Sequence, residues 1–283
     1  MGLEGKVAIV TGAWGMQTIG RANALRLARD GADVIVSDII RPPDLLGEGE
    51  KEAGWEGIHS VAREVEALGR RSKAIVCDLT DPAQIENLIG ETVSSMGRLD
   101  ILVNGARAFQ DPPRLGLLEL TWSGWDHVYA VTTRGPMITT RLAADQMIKQ
   151  GGGGTIINMT TMGAKKALLV GIAYASAMAA VNHMTRLAAL ELAPHGIRVN
   201  AVAPGVVATN RFSTEDVRKA KEQGITTPEY RRQWLDQRAR DIIPLERVAT
   251  ADDVANVVSF LASEDGSYMV GQIVNVDGGV VMD

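Results

Sequence analysis

The chain has 283 residues, 46% hydrophobic and 22% charged, an ordinary globular composition long enough to bury a substantial core. Its net charge of −5 argues against nucleic acid or an anionic membrane as the main partner, because both reward clustered positive charge. The single cysteine, Cys77, excludes an internal disulfide and cannot build a thiolate metal site alone, and no apolar run approaches the ~18 residues of a membrane span. In chain order, a strand over Lys6–Thr11 leads into a helix over Ile19–Asp30 that stops at Gly31. A second strand, Asp33–Asp38, is followed by a Gly/Glu-rich surface excursion over Ile39–Glu56 and a helix over Gly57–Leu68. The third strand, Lys73–Asp78, precedes a helix with Asp81 as N-cap and Pro82 in its first turn, ending before Gly97. Strand Leu99–Asn104, helix Thr121–Lys149, strand Thr155–Thr160, helix Ala173–Ala193 and strand Ile197–Val202 continue the rhythm. A charged segment over Val206–Pro244 then intervenes before helix Ala251–Ser263 and strand Gln272–Val276.

The seven strand runs are nearly continuous in apolar residues, as expected of a parallel sheet covered on both faces. Alternation with helices implies right-handed crossovers and a doubly wound α/β fold of the Rossmann type, a three-layer sandwich around a seven-stranded parallel sheet. No repeat, low-complexity tract or linker is visible, so 1–283 reads as one domain. Residues 206–244 follow the C-terminal end of a strand, where ligands sit in such sheets, and are expected to form a substrate lid. No signal peptide is visible, and a cytoplasmic location is expected.

The first strand ends in Thr11-Gly12-Ala13-Trp14-Gly15-Met16-Gln17-Thr18-Ile19-Gly20 and enters a helix. A Gly-rich turn in that setting brings backbone N–H groups and a helix N-terminus against a pyrophosphate. Asp38, 18 residues past Gly20, ends the second strand, where a carboxylate accepts from the adenosine ribose hydroxyls and repels a 2′-phosphate. The expected cofactor is therefore NAD, with Arg41 the one nearby residue that favours a phosphate.

These motifs, with Cys77-Asp78-Leu79-Thr80, Leu102-Val103-Asn104-Gly105-Ala106, Tyr174, Arg198-Val199-Asn200-Ala201-Val202-Ala203-Pro204-Gly205 and Asn275-Val276-Asp277-Gly278-Gly279, resemble the short-chain dehydrogenase/reductase family over nearly the whole length. The resemblance implies hydride transfer between nicotinamide and a secondary alcohol or ketone of a small molecule. It places Gly12, Trp14, Thr18, Ile19 and Gly20 at the phosphates, Asp38 at the ribose, and Asp78 and Leu79 at the adenine. It places Asn104, Gly105 and Ala106 near the adenosine ribose, and Pro204, Gly205, Val207 and Thr209 along the nicotinamide amide. It also implies a homotetramer or homodimer, with the helices over Thr121–Lys149 and Ala173–Ala193 pairing between subunits.

The family's proton exchange uses a tyrosine supported by a lysine four residues on, a serine and an asparagine. A free phenol ionises near ~10, so the lysine ammonium is what favours the phenolate at neutral pH. This chain has Tyr174, but Met178 stands at the lysine position, Thr161 at the serine position and Thr132 at the asparagine position. Arg107 replaces the glycine that ends the run after the fourth strand. A thioether carries neither charge nor donor. Either the positive charge comes from elsewhere, with Arg107, Lys165 and Lys166 as candidates, or the chain is a nucleotide-binding homologue with impaired or repurposed activity. The four histidines, His59, His127, His183 and His195, show no metal-ligand spacing, and no metal site is expected.

Overall fold

The computed structural model describes residues 2–42, 46–108, 115–167, 171–209 and 214–282. Its strands are β1 Val7–Thr11, β2 Asp33–Asp38, β3 Ser72–Val76, β4 Ile101–Asn104, β5 Gly154–Met159, β6 Ile197–Pro204 and β7 Ile273–Val276. They form one seven-stranded sheet in the order β3-β2-β1-β4-β5-β6-β7, and every pairing is parallel. The chain enters at β1, winds outward to β3 and returns to β4 beside β1. That reversal makes the C-terminal ends of β1 and β4 the switch point where such sheets bind ligands.

Both faces are covered, as the continuous apolar runs require. Ala8 and Val10 face one layer with α1 Ile19–Arg29, α3 Ile58–Ala67 and α10 Ala251–Ala262. Val7 and Ile9 face the other, with α4 Pro82–Met96, α6 Gly135–Gln150 and α7 Ile172–Leu192. Helix starts are set by side-chain caps. Thr18 accepts from the Arg21 N–H, Asp81 from the Ala83 N–H, and Thr250 forms a reciprocal pair with Asp253.

The helix expected over Thr121–Lys149 is present over residues 122–150, but its hydrogen bonding changes midway. It is α5 Trp122–Tyr129, a π-helical turn over Ala130–Arg134, and then α6. Pro136 has no N–H to bond the Thr132 carbonyl, so the regular ladder fails there. Ile39–Glu56 leaves the sheet after β2. This segment is the mostly exposed excursion expected; it carries a short helix, α2 Glu48–Glu52, and contacts the Gly-rich turn through Glu50 and the buried Trp55. Within Val206–Pro244, α8 Thr214–Gln223 and α9 Thr227–Ile242 pack on each other, and residues 210–213 lie outside the described residues.

Candidate active site

The Gly-rich turn is built by backbone contact. Gly12 has φ +78°, and a Cβ there would lie 2.6 Å from the Ala106 nitrogen and the Gly105 carbonyl. Gly20 lets α1 press its first turn onto the Gly12 carbonyl. The Thr11 hydroxyl accepts from the N–H groups of Gly105 at 3.1 Å and Ala106 at 3.3 Å, tying the ends of β1 and β4 together. Since Thr18 takes the Arg21 N–H, Ile19 and Gly20 hold the opening N–H groups that a helix start offers to an anion. This cradle fits a pyrophosphate.

Asp38 sits buried beside the turn. Its carboxylate accepts from the Ile39 N–H at 2.8 Å and the Trp14 N–H at 3.2 Å, with Arg41 at 3.7 Å. Burial pushes the carboxyl above the usual range, and Arg41 and the two N–H groups partly offset this. The Arg41 guanidinium also stacks over Trp14, 4.9 Å from the ring centre. Further along, Asp78 accepts from the Thr80 N–H and hydroxyl, and Leu79 is buried against Gly135. Asn104 closes the centre of the sheet. Its amide donates to Thr140 and Asn158 and accepts from Thr139, so the side chain is engaged between the sheet and α6. Gly205 donates to the Val276 carbonyl, and Val207 forms a bridge with Ala249, which anchors the start of the 206–244 segment; Thr209 lies just beyond.

At the C-terminal edge of the sheet, Tyr174 stands half-buried in the first turn of α7, after Gly171 at φ +89°. The Arg107 guanidinium, in the loop after β4, lies 5.5 Å from the centre of the Tyr174 ring. Met178 is one turn further along α7 and only 3% exposed. The π turn joins these elements. The Thr132 hydroxyl, 1% exposed, accepts from the Ala108 N–H at 3.3 Å, and the Thr133 hydroxyl donates to the Ala177 carbonyl at 3.1 Å. Thr161 leaves β5 and accepts from the Gly163 N–H. Lys165 donates to the Asn275 side chain at 3.0 Å, toward β7, while Lys166 is exposed. Of the three candidate cations, Arg107 is the one found over the Tyr174 ring.

Sequence reasoning missed Glu50, Trp55 and Thr133. The Glu50 carboxylate accepts from the Met16 N–H of the turn at 2.9 Å, and the Trp55 indole donates to the Trp14 carbonyl at 2.7 Å. The available signal was Trp55 itself, the one aromatic residue in a Gly/Glu-rich excursion, which must bury against something.

Residues 12–281 match the family model described as enoyl-(acyl carrier protein) reductase. The chain is 36% identical over 280 residues to a short-chain dehydrogenase/reductase of Armillaria gallica, covering 99% of this chain and 97% of the relative. It is 34% identical over 279 residues to galactitol 2-dehydrogenase of Agrobacterium fabrum, covering 99% and 98%. The structure of L-sorbose reductase from Gluconobacter frateurii, complexed with NADPH and L-sorbose, matches with a TM-score of 0.83 at 28% identity, over 100% of this chain and 99% of that one.

Proposed function

The chain is an oxidoreductase of the short-chain dehydrogenase/reductase family, and from that premise we propose that it is an NAD(H)-dependent enzyme acting on a secondary alcohol or ketone of a small polyhydroxylated molecule, with Tyr174 as the proton-exchanging group and Arg107 as its supporting cation. The placement of Arg107 over Tyr174 carries the reading. Asp38 at the ribose position supports NAD. Relatives named for galactitol and L-sorbose support a polyol or ketose substrate.

Nicotinamide, when bound, accepts or returns the hydride. Tyr174 takes the proton from the substrate hydroxyl during oxidation and returns it to the carbonyl oxygen during reduction. Thr161 donates a hydrogen bond to that same oxygen and orients it. A guanidinium does not act as acid or base at neutral pH, but its charge stabilises the phenolate that proton transfer leaves. Thr132 holds the Ala108 N–H and so positions the Arg107 loop, while Thr133 fixes the turn of α7 that carries Ala177. Tyr174 is half-buried and exchanges its proton with solvent, in place of the relay through lysine and asparagine.

A second reading has a specific observation in its favour. Met178 is buried and uncharged where the family places its lysine, which suits a nucleotide-binding homologue with impaired or non-redox activity. The deciding experiment follows NADH formation with a panel of hexitols and vicinal diols, and NADH consumption with the matching ketones. Turnover that Tyr174→Phe abolishes supports the redox reading. Nucleotide binding with no turnover on any member favours the second. A cytoplasmic homotetramer or homodimer of single-domain chains, with 206–244 closing as a lid, completes the proposal, and sedimentation analysis tests the assembly.

A further inference from the structure

Resting on the reading that the site takes NAD, we propose that Glu50 is a second specificity-determining carboxylate, which acts with Asp38 to exclude a 2′-phosphate from the adenosine ribose pocket. The Gly-rich turn has two parts with different tasks. Its end, Thr18 to Gly20, opens α1, where a helix start offers N–H groups to phosphates. Its middle, Trp14 to Met16, faces the end of β2, because the Trp14 N–H bonds the Asp38 carboxylate. That middle stretch therefore lies on the ribose side. Glu50 reaches this stretch from α2 and accepts from the Met16 N–H, two residues beyond Trp14.

The excursion holds Glu50 there by several contacts. The second Glu50 oxygen accepts from the Gly47 N–H at 3.1 Å, fixing the carboxylate in one orientation. Trp55 is buried and donates to the Trp14 carbonyl, which closes the segment onto the turn behind Glu50. Gly57, at φ +63°, packs so closely on the Trp14 indole that a Cβ would collide with it.

The charges around the ribose side then favour rejection of an added anion. Asp38 and Glu50 contribute −2, and Arg41 contributes +1, giving −1. Arg41 already faces Asp38 at 3.7 Å and the Trp14 ring at 4.9 Å. Among the described residues, the Arg21 guanidinium at the start of α1 is held by both oxygens of Glu64 at 2.6 Å. A main-chain N–H and a cation are what a 2′-phosphate requires, and here carboxylates have taken both.

The test is calorimetric titration of the full chain with NADH and with NADPH, for the wild type, Glu50→Gln and Glu50→Ala. The quantity read is the ratio of the NADPH Kd to the NADH Kd. The proposal expects a large ratio in the wild type and a fall of roughly tenfold in each variant, smaller at high salt. Glu50→Gln keeps the side chain's shape and can still accept from Met16, so it separates charge from folding if Glu50→Ala is unstable. A merely structural role would weaken both nucleotides together. A large wild-type ratio that neither variant lowers overturns the proposal and leaves the NAD reading standing. A wild-type ratio near one overturns the NAD reading, and this proposal with it.

Discussion

The Arg107 guanidinium lies 5.5 Å from the centre of the Tyr174 ring, on the loop after β4 and not on the helix that carries the tyrosine. A cation and a phenol are thus brought together across two elements, while the next turn of α7 presents the uncharged Met178. On the proposed reading, the site uses a cationic partner that depends on tertiary structure and not on the next turn of the same helix.

Met178→Lys distinguishes a rebuilt site from a damaged one. Met178 is 3% exposed, so an ammonium there would be buried on the same helix as Tyr174, in a place that an uncharged thioether now fills. We expect a stability loss on the order of 3 kcal/mol and no gain in turnover. Thermal melts and steady-state rates check both. A strong rise in kcat would mean that the site is an impaired form awaiting its lysine.

Thr132→Val keeps the volume and removes the acceptor for the buried Ala108 N–H. Leaving that donor unpaired costs about 1–3 kcal/mol. The Arg107 loop should lose its fixed position, so kcat should fall more than the NADH Kd rises. Thr132→Ser keeps the hydroxyl and should restore most of the rate.

The raised Asp38 carboxyl gives NADH binding a pH dependence of definite sign. Burial disfavours the charged form, so the folded protein holds a proton there above the unfolded value of ~3.9. In that window the native state binds more protons than the unfolded state, and this residue's contribution to stability falls as pH rises. On the proposed reading, ribose recognition needs the carboxylate, so NADH affinity should increase with pH through the same window and then level off. Asp38→Asn should bind weakly and lose this rise, as measured by titrations between acid and neutral pH.

Gly12→Ala should remove nucleotide binding altogether. The position has φ +78°, and the new Cβ would lie 2.6 Å from the Gly105 and Ala106 backbone. Backbone has no rotamer to yield, so a cost of about 2 kcal/mol or more is expected. Calorimetry with NADH and a thermal melt separate lost binding from lost folding.

The inner strands were legible because a strand buried on both faces declares itself as a continuous apolar run, as in Val7–Thr11 and Ile101–Asn104, while the partly exposed outer strands β3 and β7 show the same signal more weakly. Caps such as Thr18, Asp81 and Thr250 are local signals and mark helix starts in the same way. The π turn at Ala130–Arg134 was not legible as such. It depends on Pro136 together with threonine hydroxyls that reach Ala108 and Ala177, far away in sequence. The Ile39–Glu56 excursion has polar, Gly-rich composition, and only the contact between Trp55 and Trp14 reveals that it belongs to the nucleotide turn. At the catalytic edge, the exchange of lysine for Met178 was plain from spacing. Which of Arg107, Lys165 and Lys166 faces Tyr174 was not, because each leaves a different loop and only packing decides among them.

The most direct test of the central claim is to compare Arg107→Ala with the wild type, measuring kcat on the best polyol or ketose and the NADH Kd on the same preparations. A cation that stabilises the phenolate predicts a fall in kcat of about 10²-fold or more, a far smaller change in Kd, and partial recovery with added guanidinium or in Arg107→Lys. An unchanged kcat, or a loss fully matched by weaker NADH binding, would contradict Arg107 as the partner of Tyr174.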